Sequence, residues 1–106
     1  MTIQQQIERQ LTDLLAPTVL EVANESDQHS VPPNSETHFR VVVVSEQFVG
    51  QRKVARHQQV YAAVAAQLAG PVHALALHTY TPQEWQERQQ AAPESPACLG
   101  GSKGDA

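Results

Sequence analysis

The run His38-Phe39-Arg40-Val41-Val42-Val43-Val44-Ser45 constrains this chain more than any other segment. Four consecutive valines are too β-branched to favour a helix, and they fit a pleated strand well. The apolar run is unbroken where a half-exposed strand would alternate, so both faces of this strand need cover. That places it centrally in a sheet. Val19 to Ala23 alternates around Glu21, as a half-buried strand does, and Val72 to Tyr80 is a third apolar strand candidate.

Helices fill the intervals. Thr2 and Gln5 have capping-box spacing, and Ile3, Ile7, Leu11, Leu14 and Leu15 recur on one face, so Thr2 to Ala16 is predicted as an amphipathic helix ended by Pro17. Glu25 to Glu36 is polar and holds Pro32-Pro33-Asn34-Ser35, a loop signature. Gln47 to Arg52 is a connector around Gly50. Lys53 to Leu68 is predicted as one helix with Val54, His57, Tyr61, Val64 and Leu68 on its apolar stripe, stopped by Gly70-Pro71. Thr81 caps a last short helix, with Pro82 at its first position, Glu84 in its first turn and Trp85 as a core anchor.

The order helix, strand, strand, helix, strand, helix predicts an α+β sandwich: a three-stranded mixed sheet with helices mainly on one face. The first two strands should be antiparallel. The strand–helix–strand unit from 38 to 80 should join parallel strands by a right-handed crossover.

A chain of 106 residues holds one domain, expected over residues 1–90. The Pro, Ser, Gly and Ala-rich remainder, residues 91–106, is expected to be a flexible tail. Cys98 is the only cysteine, so no internal disulfide forms and a reducing compartment suffices. No apolar run is long enough to cross a membrane and no secretory leader is evident, so the expected location is the cytoplasm. The net charge of −4 opposes general attraction to nucleic acid. Yet Arg52, Lys53 and Arg56 cluster at the start of the second long helix, where they are either a solvated first turn or a phosphate-contacting patch. No catalytic constellation is present: Ser35 and His38 lack an orienting third group, Cys98 lies in the tail, and no glycine-rich phosphate cradle occurs.

The histidines carry the remaining chemistry. Parallel second and third strands put His38 and His73 at one sheet edge, and the loop holding His29 can return there. Imidazoles bind zinc, copper and iron, and replace cysteine in some iron–sulfur clusters. The alternative is that His38 and His73 are strand-end residues hydrogen-bonded to backbone. His57 is expected to be buried and structural, and His78 to lie on the surface or on a sheet face.

Glu36-Thr37-His38-Phe39-Arg40-Val41, Phe48-x-Gly50, Arg56-His57 and Val72-His73-Ala74-Leu75 with Thr81-Pro82-x-Glu84-Trp85 together resemble the BolA family over positions 3 to 86. The resemblance implies a class II KH-like fold, here without the Gly-x-x-Gly nucleic-acid clamp, since Gln51-Arg52-Lys53 follows Gly50. It implies no enzymatic activity. It implies pairing with a monothiol glutaredoxin through a shared [2Fe–2S] cluster, which the isolated protein would lack. The partner's cysteine and glutathione supply part of the ligation. By the same resemblance His73 is the steady ligand, with His29 or His38 as the second. It further implies a bacterial transcriptional regulator of stress response, cell morphology and biofilm formation, with Arg52, Lys53 and Arg56 on promoter DNA. An iron–sulfur trafficking adaptor without direct DNA binding is the alternative. Alone, the chain is expected to be a monomer or weak homodimer.

Overall fold

The structure, a computed structural model, describes residues 1–26 and 35–88. The chain runs through α1 (Ile3–Leu15), β1 (Val19–Asn24), β2 (His38–Val44), a 3-10 turn (Glu46–Phe48), α2 (Lys53–Ala63), α3 (Ala65–Ala69), β3 (Ala74–Tyr80) and α4 (Pro82–Glu87). The sheet order is β1-β2-β3, with β1 antiparallel and β3 parallel to the central β2. The predicted α+β architecture and strand directions hold.

The strand period of two explains the valine run. Val41 and Val43 face Ile7, Leu11 and Leu15 of α1, together with Val22, Phe48, Val60, Val64, Val72 and Leu77. Val42 and Val44 face the opposite way, into a smaller cluster with Tyr80 and Trp85. All four valines are fully buried. Each such side chain contributes roughly 1.5–3 kcal/mol relative to remaining exposed. Trp85, centred 5.5 Å from the Tyr80 ring, is the anchor expected from sequence, and it lets a six-residue helix close the second face.

The capping box read at Thr2 forms, and the Thr81 cap proves to be a second one. The Thr2 side chain accepts from the Gln5 N–H while Gln5 Oε1 accepts from the Thr2 N–H, and Thr81 and Glu84 do the same for α4. Glu36 adds a long-range cap, accepting from the N–H groups of Ile3 and Gln4, both at 3.2 Å. A carboxylate at a helix N-terminus satisfies orphan donors and complements the helix dipole.

The long second helix is corrected on two counts. It breaks at Val64, whose ψ of 23° leaves the helical range, and continues as α3. Its buried residues are Arg56, Val60, Val64 and Gln67, whereas Val54 is 67% exposed and Tyr61 lies at the surface. The stripe is rotated because two polar residues find internal partners: Arg56 reaches Glu84, and Gln67 Nε2 donates to Gln6 Oε1 at 2.9 Å. On α1, Leu14 likewise faces outward rather than into the core.

Candidate functional site

The parallel register pairs His38 with Ala74, so His73 lies one residue before the start of β3 and diagonal to His38. The two imidazole centroids are 6.1 Å apart with ring planes at 74°. His73 is exposed and His38 is half-buried. Thr37 stands between them. Its carbonyl accepts from the N–H groups of His73 (2.8 Å) and Ala74 (3.2 Å), and its hydroxyl lies 2.8 Å from His38 Nδ1. If that hydroxyl accepts from Nδ1–H, the lone pair of His38 sits on Nε2, the arrangement seen where a second partner orients a metal-binding imidazole. His29, the third histidine of the expected edge, lies outside the described residues. Among the described residues no group of three His, Cys, Asp or Glu side chains could hold a metal ion.

The basic cluster divides. Arg52 and Lys53 are exposed at the start of α2, beside Val49 and Val54, which are also exposed. The connector turns at Gly50, whose φ of +80° suits a residue without a Cβ. Arg56 points inward. Its Nη1 and Nη2 meet the Glu84 carboxylate at 2.6 and 3.1 Å, Nε donates to the Gln51 carbonyl at 3.0 Å, and Nη1 lies 3.4 Å from the Thr79 carbonyl. The guanidinium also sits 5.8 Å from the Phe48 ring centroid. The expectation that Arg56 contacts phosphate therefore gives way to a structural role tying the Gly50 connector, the end of β3 and α4 together. An open groove of about 520 Å³ alongside is lined by Glu46 and Glu87 as well as by the paired Arg56 and Glu84, so its charge is net acidic. Of the three expected cations, Arg52 and Lys53 are the ones exposed to solvent.

The hydrogen bond from Arg56 is the main cause holding the Glu84 carboxyl below its ordinary value of 4.5, against desolvation, which acts the other way. A carboxylate with a depressed folded-state pKa stabilises the fold above its unfolded pKa, and that contribution is lost as pH falls through the folded value. Acid should therefore loosen α4 below pH 4.5. Glu84→Ala is expected to cost about 1–2 kcal/mol near neutrality, discounted for a partly exposed carboxylate. Glu84→Gln should flatten the acid dependence. Urea unfolding of the three proteins at neutral pH and at several pH values below 4.5 checks both statements.

The other histidines are placed differently from the pair at the rim. His78 lies on the sheet face shared with Val42 and is buried, which settles the face-or-surface alternative in favour of the face. His57 is half-buried, with its ring edge-on to Tyr61 at 6.4 Å.

The family model for BolA-like protein matches residues 11–84. This chain belongs to the BolA family. The DNA-binding transcriptional regulator BolA of Vibrio cholerae is 57% identical over 101 residues, covering 95% of both chains. The solution structure of mouse BolA1 superposes with a TM-score of 0.79 at 48% identity, over 94% of this chain and 80% of that one. The BolA domain of SufE1 from Arabidopsis thaliana superposes with a TM-score of 0.73 at 34% identity, over 79% of this chain and 96% of that one. BolA relatives in bacteria thus carry the name of regulators, and the same domain also occurs within a larger protein.

Two residues of the rim were not singled out from sequence. Thr37 bonds the backbone of His73 and Ser26 bonds that of Thr37 and His38, and a hydroxyl bonded to backbone leaves no pattern in composition or spacing. The Ser26 side chain lies beneath the residues it serves, next to a polar loop where serine is ordinary.

Proposed function

We propose that this BolA protein is a non-enzymatic bacterial regulator of stress response and cell morphology. It binds DNA and pairs with a monothiol glutaredoxin through a shared [2Fe–2S] cluster. The observation that carries the pairing is the juxtaposition of His38 and His73 on one exposed rim. The donor set fits such a group. Two imidazoles from adjacent strands supply a partial ligand set of the nitrogen type that replaces thiolates in some clusters. Two imidazoles leave positions that a thiol-bearing partner can complete. His73, the more exposed, would ligate; His38, or His29 from the neighbouring loop, would be second. When bound, the cluster supplies redox and iron-responsive chemistry. The chain's own part is to hold the imidazoles at the rim and present a docking surface around them.

Anaerobic co-purification with a monothiol glutaredoxin and glutathione tests this part. A coloured heterodimer with the visible absorption of a [2Fe–2S] centre is expected, and a colourless complex or none at all refutes the cluster reading.

The DNA reading rests on the Vibrio relative's name and on exposed Arg52 and Lys53. Binding should be phosphate-driven and weaken with salt. Gel-shift titrations across several salt concentrations, comparing wild type with Arg52→Ala/Lys53→Ala, check it. Loss of two phosphate contacts reduces the salt slope by about 1.8. Arg56 stays intact in that variant, because its removal would disturb the fold and confuse the result. The adaptor alternative, a cluster-trafficking partner without DNA contact, is favoured by the net charge of −4 and the inward turn of Arg56. Equal, negligible DNA affinity in both proteins would select it.

A further inference from the structure

Below the histidine rim lies a hydroxyl that no part of the function above uses. Ser26 is 3% exposed, an unusual depth for a serine at a loop margin. Its Oγ donates to Asn24 Oδ1 at 2.6 Å and accepts from the backbone N–H groups of Thr37 at 2.9 Å and His38 at 3.1 Å. The Thr37 hydroxyl adds a longer contact at 3.5 Å, so both the donor and the acceptor capacity of the serine hydroxyl are used. Asn24 holds the serine in turn: its Oδ1 also accepts from the Ser26 N–H at 3.0 Å, and its Nδ2 donates to the Ser35 carbonyl at 2.9 Å. The two chain ends that bracket residues 27–34 are thus fastened to each other by Ser26 and Asn24.

What Ser26 fastens is the residue bonded to the His38 ring and to the His73 backbone. The Thr37 N–H is fixed by Ser26, its carbonyl fixes the backbone of His73 and Ala74, and its hydroxyl contacts His38 Nδ1. The His38 N–H shares the same serine oxygen, while the His38 carbonyl accepts from the Glu25 N–H at 2.8 Å. Two consecutive backbone N–H groups converging on one oxygen form a small concavity that normally selects an anion or a strong acceptor. Here a neutral side chain fills it.

We infer that Ser26 is a positioning residue for the histidine pair: its hydroxyl sets where Thr37 stands, and through Thr37 the spacing and orientation of the His38 and His73 rings. This deepens the proposed cluster-binding role and rests on that reading only for its purpose, since the ring geometry exists in the isolated protein. Ser26 itself touches no ligand. Its effect on one would pass through Thr37 and the two imidazoles.

The test uses Ser26→Ala and Ser26→Thr in the full chain, the second retaining the hydroxyl. In the isolated proteins, amide hydrogen exchange and ring-to-ring nuclear Overhauser effects are measured by NMR. Ser26→Ala should accelerate exchange at Thr37 and His38 by at least about tenfold, with Val41 and Val43 unchanged. The His38–His73 ring contacts should weaken together with it. In the glutaredoxin complex, Ser26→Ala should alter the visible circular dichroism of the cluster, and Ser26→Thr should restore the wild-type signature. Faster exchange at residues 37 and 38 with unchanged ring contacts would reduce Ser26 to a loop-closing role and overturn the inference. Slower or unchanged exchange in Ser26→Ala would overturn it as well. If the wild-type complex holds no cluster, the proposed function fails, while the ring contacts in the isolated variants still decide this one.

Discussion

His73→Ala should leave the domain folded and deprive the glutaredoxin complex of its cluster. The backbone N–H of residue 73 makes the 2.8 Å bond to Thr37, and alanine keeps that bond. The imidazole itself is exposed, so its removal uncovers no cavity, and the stability change should stay within about 0.5 kcal/mol. Cluster retention should fall far more. Loss of groups that merely orient a metal ligand costs about 10–100-fold in affinity, and loss of a ligand should reach at least that range. Anaerobic complexes of wild type, His73→Ala and His38→Ala, followed by visible absorption during exposure to a chelator, rank the contributions. His38→Ala is the informative companion, because His38 competes with His29 for second place. An unaltered spectrum and lifetime in His73→Ala would remove that residue from the site, whatever became of the others.

Phe48→Ala should be the most destabilising single change among the core residues named above. Phe48 closes the 3-10 turn after β2 with no exposed surface, packed in the cluster that joins α1, the sheet and α2. Truncation of a buried aromatic costs about 3–5 kcal/mol, a transfer loss plus a cavity that neighbours fill only in part. Domains of this kind are stable by about 5–15 kcal/mol in total, so the variant should approach the threshold of folding at body temperature. The Arg56 guanidinium beside the ring loses its aromatic neighbour as well, loosening the connector that carries Arg52 and Lys53. Urea denaturation gives the difference directly. A loss below about 1 kcal/mol, the size of an average substitution, would mean that Phe48 does not fill the position described.

Much of the fold was readable because local rules and the global answer agree. The valine run demanded two covered faces, and the structure supplies α1 and α2 on one side and α4 with Trp85 on the other. Thr2 with Gln5 and Thr81 with Glu84 marked two helix starts that formed as read. The second helix misled for an identifiable reason. A stripe drawn from apolar residues assumes that charged side chains face water, and Arg56 violates that assumption because Glu84, 28 positions later, neutralises it at the surface of the core.

The candidate site divides along the same line. The chain alone established which imidazoles could share an edge, since strand order and direction follow from hydrophobic pattern and connection length. That order places His38 at the start of β2 and His73 just before the start of the neighbouring parallel β3. Only the folded molecule decided their separation, the burial of Arg56, and the roles of Ser26 and Thr37. Those depend on single hydrogen bonds between residues far apart in sequence, whose directions no pattern of residue types encodes. Periodicity reports how a segment meets a core, whereas the placement of one polar atom is set by every element packed around it.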